Sequence, residues 1–215
     1  MHYPDPPAAA RLNPAIETWP AGRRLVRAYD ARFGPLAFNA TATTGRFRPV
    51  TTSEGAIVPT AYAAEDDETA IAERLLRGVD PEHRDRPRRL LRRAVRGVEL
   101  ARVAATRDLK LVRLHGLGLQ RLRLARRELI ESGRDHYAWT ATWAQALHDC
   151  PARPDGLIWS ARQNDSAKAV ILFATRGAGR ALCLDGRTTP LDRGEGYERL
   201  LDVCLTAGVD LELWA

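Results

Sequence analysis

A chain of 215 residues has room for one domain with a sizeable core, or at most a domain with a small appendage. Its 45% hydrophobic content excludes a disordered polymer, and no apolar run approaches the roughly 18 residues needed to span a bilayer. All but Lys110 and Lys168 of its 33 basic residues are arginine, and the formal net charge is +6. Arginine grips phosphate with a two-pronged fork where lysine offers a point charge. A GC-rich genome, whose codons favour Arg, Ala and Gly, is the plainer cause of the overall bias.

Residues 1–20 are proline-rich and aperiodic, and are expected to form an N-terminal arm ahead of a domain spanning 21–215. The first strand is expected at 25–29. Residues 31–48 read as loop, with Gly34-Pro35 and Gly45 as turn signals. A short apolar run at 56–63 suits a buried strand. Asp66 or Asp67 can cap a following helix, whose apolar residues Ala70, Ile71, Leu75, Leu76 and Val79 recur at helical spacing until Gly78 ends it. Glu73 leaves that helix on one flank of the apolar stripe. Residues 87–96 read as a short basic helix opened by Pro87. Strands are expected at 98–104 and 109–114, and helices at 124–131 and 137–148. Further strands are expected at 157–160, 169–174 and 180–185, with Gly177 and Gly179 turning the chain between the last two. An amphipathic helix at 195–207 and a strand at 209–214 close the chain. Strands and helices mix without strict βαβ alternation, which predicts an α+β fold, not a doubly wound sheet.

Familiar catalytic signatures are missing. There is no phosphate-binding Walker loop, and Gly116-Leu117-Gly118 and Gly177-Ala178-Gly179 lack the third glycine of a dinucleotide fingerprint. The five histidines show no HExxH pairing and the cysteines no metal-ligand spacing, so no metal site is expected; no Gly-x-Ser-x-Gly elbow for a serine nucleophile occurs either. Cys150, Cys183 and Cys204 are odd in number and scattered, and the N-terminus has no secretory pattern; both suit reduced thiols in a cytoplasm. The arginine-rich stretch 84–127 could attract nucleic acid electrostatically, but no aromatic residues interleave it for base stacking.

What remains is an ordered set of polar residues, each at the edge of an apolar or turn-forming stretch. Arg27 lies inside Leu25-Val26-Arg27-Ala28-Tyr29, where a buried charge needs a partner: Glu73 or a ligand phosphate. Arg46 follows Gly45, Tyr62 ends a buried-type strand, and Glu73 follows on its helix. Two guanidiniums can grip a pyrophosphate, an aromatic ring can stack on nicotinamide, and a carboxylate can steady a ribose that becomes cationic as its glycosidic bond breaks. This order resembles the RES domain family, named for its Arg, Glu and Ser. The resemblance continues through residues 137–148 and Asp155-Gly156-Leu157-Ile158-Trp159-Ser160-Ala161-Arg162, and covers 20–215.

The resemblance implies an ADP-ribosyltransferase-like fold, with mostly antiparallel sheet flanked by helices, in a toxin held by a cognate antitoxin protein. It implies NAD+ as substrate, cleaved at the nicotinamide–ribose bond with water or inorganic phosphate as acceptor. It assigns Arg27 and Arg46 to the pyrophosphate, Tyr62 to nicotinamide, Glu73 to the ribose and Ser160 to positioning. Transfer of ADP-ribose onto a host protein shares the same site and stays open, as does a non-enzymatic nucleic-acid-binding module. Two positions depart from the family's pattern. Arg48 stands where relatives usually carry a neutral or acidic residue, and it either adds a phosphate contact or points outward. Ser160 is one residue early, with Ala161 in the family's register; a bulge or strand end is expected to return its hydroxyl to the cleft.

Overall fold

The computed structural model describes residues 3–41, 43–79 and 87–212. In chain order its strands and helices are β1 (Ile16–Trp19), β2 (Arg24–Asp30), β3 (Thr60–Ala64), α1 (Asp67–Leu75), β4 (Arg89–Leu91), α2 (Arg92–Val95), β5 (Val98–Ala105), β6 (Leu109–Arg113), α3 (Leu117–Arg121), α4 (Arg126–Leu129), α5 (Tyr137–Asp149), β7 (Gly156–Ser160), β8 (Lys168–Phe173), β9 (Leu182–Leu184), β10 (Thr189–Pro190), α6 (Gly194–Thr206) and β11 (Asp210–Glu212). The main sheet runs β1-β6-β7-β8-β3-β2-β5-β10, with β9 also on β5, and every pair in it is antiparallel except β6 with β7. This is the mixed, mostly antiparallel α+β architecture expected.

The alternation of apolar residues along the strands decides how the layers form. One set, including Leu25, Val103, Leu109, Ile158 and Leu172, meets in a core built almost wholly from strand residues, so the sheet curls over on itself. The other face is covered in two places. Trp143 and Leu147 of α5 pack on Leu157 and Ile171, while Ile71 and Leu75 of α1 join Leu200 of α6 over Val26 and Leu100. Asp66 caps α1 by accepting from the Thr69 amide at 2.7 Å.

Two local expectations are corrected. The segment read as an arm is partly built into the fold. Trp139 and Trp143 both donate their indole N–H to the Pro4 carbonyl, at 3.1 and 2.9 Å, and Ile16–Trp19 pairs along β6 as an edge strand. The basic helix expected from Pro87 is instead β4 followed by α2. Leu90 is buried and β4 pairs in parallel with β11, a contact that local helical propensity cannot anticipate. Between β8 and β9 the two glycines lie in a 3₁₀ turn, Thr175–Arg180. Of the closing strand expected at 209–214, Asp210–Glu212 is observed and the end lies outside the described residues.

Candidate functional site

The site begins at a split in the sheet. β2 pairs with β5 along its whole length but meets β3 at one registered position, Val26 opposite Ala64. Beyond it the edge of β3 is taken by the connecting loop: Asn39 and Thr60 exchange backbone hydrogen bonds of 2.8 and 3.1 Å. A cleft of about 1350 Å³ opens there, walled by β2, β3, the loop, the end of α1 and the start of α5. That exceeds the roughly 300–1,000 Å³ of a pocket for a drug-sized ligand, and leaves room for an extended dinucleotide.

Three of the expected residues, Arg27, Tyr62 and Glu73, line this cleft. Arg27 is 6% exposed and, among the described residues, is paired with neither Glu73 nor any other carboxylate. Its two terminal nitrogens donate to the carbonyls of Pro35 at 2.5 Å and Ala37 at 2.8 Å, and its buried Nε has no partner. Burial lowers its pKa to about 10, so it stays cationic at neutral pH. Arg27 thus fastens the loop across the gap that β2 leaves, and still carries an unneutralised charge at the cleft.

Glu73 is half-buried on α1, and its Oε1 accepts from the amides of Arg162 at 2.5 Å and Gln163 at 3.0 Å. The carboxylate is therefore fixed by the backbone that follows β7, on a rigid mount. Tyr62 projects from β3, edge-on to Trp159 with centroids 6.1 Å apart. Its hydroxyl is buried without a hydrogen-bond partner. Burial raises the phenol's pKa, against the opposing pull of Arg48 and Arg77. The Arg48 guanidinium lies 5.0 Å from the Tyr62 ring centroid. Gly45 makes room for it: a Cβ there would stand 2.7 Å from Arg48 Nε, and the φ of +148° suits glycine. Arg48 therefore points into the cleft, and the close approach that Gly45 permits is to this side chain.

Arg46 and Ser160 are not on the cleft wall. Arg46 is 3% exposed and turned inward. It donates from Nη1 to the Leu129 carbonyl and the Ser132 hydroxyl, both at 3.1 Å, and from Nη2 to the Ser132 carbonyl at 3.0 Å. Burial lowers its pKa to about 10. Ser160 lies on a regular strand in register with Lys168, without a bulge, and its hydroxyl accepts from Lys168 Nζ at 2.9 Å. Alternation sends it to the face opposite Trp159, which lines the cleft. The expected return of Ser160 to the cleft does not occur. Ala161 shares the Trp159 face but is fully buried in the core beneath it.

Sequence reasoning missed Arg77 and Tyr137. Arg77 follows Glu73 by four residues, at the 3₁₀ turn that continues α1, and so emerges on the same side; that spacing was the available signal. Its Nη2 donates to the Tyr137 hydroxyl at 2.9 Å, and both residues line the cleft. Arg74 and Arg134 line it too, so that with Arg27, Arg48 and Arg77 the arginines outnumber the carboxylates of Asp30, Glu73 and Asp135. Among the described residues, no three His, Cys, Asp or Glu side chains converge as a metal site, and no helix is long and apolar enough to cross a membrane.

The family model for the RES domain matches residues 20–193. No curated protein matches the sequence. A chain in the crystal structure of the M. tuberculosis MbcT–MbcA toxin–antitoxin complex superposes with a TM-score of 0.54 at 15% identity, over 80% of this chain and 85% of that one. At that identity the likeness is one of fold.

Proposed function

The chain belongs to the RES domain family, and from that premise we propose that it is the toxin of a bacterial toxin–antitoxin pair that consumes NAD+ by breaking the nicotinamide–ribose bond. The observation that carries this reading is the convergence of Arg27, Tyr62 and Glu73 on one cationic cleft of dinucleotide size at the split between β2 and β3. In this reading Arg27 and Arg48 face the diphosphate and Tyr62 offers its ring to nicotinamide. Glu73 stands beside the ribose, where its charge steadies the oxocarbenium character that develops as nicotinamide leaves. Arg46, assigned to the phosphate by the family pattern, acts through the wall it braces, and Ser160 makes no ligand contact. The cognate antitoxin is a protein partner by the same premise, and the place of action is the cytoplasm. A nucleic-acid-binding role finds little support. Many arginines of the 84–127 stretch are engaged internally: Arg102 with Asp67, Arg107 with Asp155, Arg126 with Glu131 and the carbonyls of Ser160 and Ala161.

Purified protein incubated with NAD+, with and without inorganic phosphate or candidate acceptor proteins, should release nicotinamide. The ADP-ribosyl product then separates hydrolysis, phosphorolysis and protein modification. No release under any of these conditions would sink the reading. Within the same assay Ser160→Ala should keep turnover within a few-fold of the parent, since its hydroxyl is committed to Lys168 on the other face of the sheet. A loss of a hundredfold would show that the serine reaches the reaction after all.

A further inference from the structure

The α1 end of the cleft carries more positive charge than its protein contacts neutralise. Arg48 and Arg77 both act on Tyr62, and Arg77 and Arg162 both press on the charge of Arg46, with Glu73 as the neighbouring carboxylate. Arg48 Nε and the Tyr62 hydroxyl are buried there without partners. Burial opposes the charge of Arg77, but Tyr137, Tyr62 and Glu73 together more than offset it, so the guanidinium stays firmly cationic at the cleft. Arg77 is the best placed to meet an anion. Its Nη2 is held at 2.9 Å by an uncharged donor–acceptor, the Tyr137 hydroxyl, instead of by a carboxylate, and its guanidinium carbon lies 5.9 Å from the Tyr137 ring centroid. Tyr137 is steadied in turn, at the start of α5, with the Arg46 guanidinium 5.3 Å from its ring centroid.

We propose that Arg77 is a ligand-binding residue for the diphosphate of the dinucleotide, with Tyr137 as the positioning residue that aims it. This rests on the NAD+ reading above. A neutral hydroxyl fixes the direction of the guanidinium without spending its charge, so the fork is presented ready-made to a phosphate oxygen. Arg46 serves the same end one step further back: it holds the Leu129–Ser132 turn and flanks the Tyr137 ring.

The test is calorimetric titration with ADP-ribose, which carries the diphosphate and needs no turnover, run on the full chain beside NAD+ titration or turnover. Arg77→Gln should weaken ADP-ribose binding about tenfold to a hundredfold, the range for one charge-assisted hydrogen bond. Arg77→Lys should recover part of this, because the charge returns without the fork. Tyr137→Phe removes only the hydroxyl and should weaken binding by roughly three- to tenfold. In Arg77→Gln that second change should add nothing, because a positioning residue has no effect once the side chain it positions is gone. A merely structural tyrosine would instead add its cost in both backgrounds. If Arg77→Gln folds poorly, Arg77→Lys and Tyr137→Phe carry the same comparison. Wild-type affinity for ADP-ribose in the Arg77 variants, with the parent binding normally, overturns the inference alone. A parent that neither binds ADP-ribose nor turns over NAD+ overturns the functional reading, and this inference with it.

Discussion

Replacing Glu73 with glutamine is expected to lower NAD+ turnover by roughly a hundredfold or more, since one lost electrostatic stabiliser of the reacting group is worth about 2.7–4 kcal/mol. Glutamine keeps the shape and an acceptor oxygen, so the amides of Arg162 and Gln163 keep a partner. The hydrogen bonds become neutral ones, and the difference is about 1 kcal/mol. In a chain of 215 residues that moves the melting temperature by only about 2–4 °C. ADP-ribose binding should change little, because charge stabilisation matters most when the sugar becomes cationic. The pattern to look for is therefore a collapsed kcat with a modest thermal shift. Near-normal turnover would remove Glu73 from the chemistry. An equally large loss of fold would instead assign it to holding the segment after β7.

The sequence made some of this site legible and hid the rest, and the divide follows the range of the forces involved. Arg27, Tyr62 and Glu73 are carried by elements whose periodicity is local: a strand whose central charge lies among apolar neighbours, the middle of a short buried strand, and a capped helix with an apolar stripe. Their side-chain directions follow from those periods. Arg46 has no such frame. It sits in a loop, and its direction is set by acceptors at Leu129 and Ser132, more than eighty residues away in sequence. Arg48 shares that loop, and its direction depends on the room that Gly45 leaves for it. β1 escaped notice because only Trp19 of its four residues is buried, and its pairing with β6 is non-local. Ser160 is the reverse case: the default alternation of a regular strand described it correctly, and the supposed irregularity was unnecessary. Arg77 was readable from its four-residue spacing to Glu73.

Arg46 offers the sharpest separation between a residue that touches ligand and one that builds the wall. Arg46→Ala strands three buried acceptors, the Leu129 carbonyl and the Ser132 carbonyl and hydroxyl. A buried acceptor left unpaired costs about 1–3 kcal/mol. Water entering the space recovers part of this, and the variant no longer buries a guanidinium that has no carboxylate partner. The net loss should be about 2–4 kcal/mol, which for a chain of 215 residues lowers the melting temperature by roughly 5–15 °C. The effect on the ligand should be secondary. At a temperature where the variant is folded, ADP-ribose affinity should fall by no more than about threefold, transmitted through the slackened Tyr137 and Arg77. Arg46→Lys keeps the charge and some donors but cannot span Leu129 and Ser132 with a fork, so it should melt between the two. A direct phosphate contact predicts the opposite ordering: a tenfold or greater loss of affinity with the melting temperature unmoved. Thermal melts and titrations on the same three proteins distinguish the two, and the buried geometry of Arg46 favours the first.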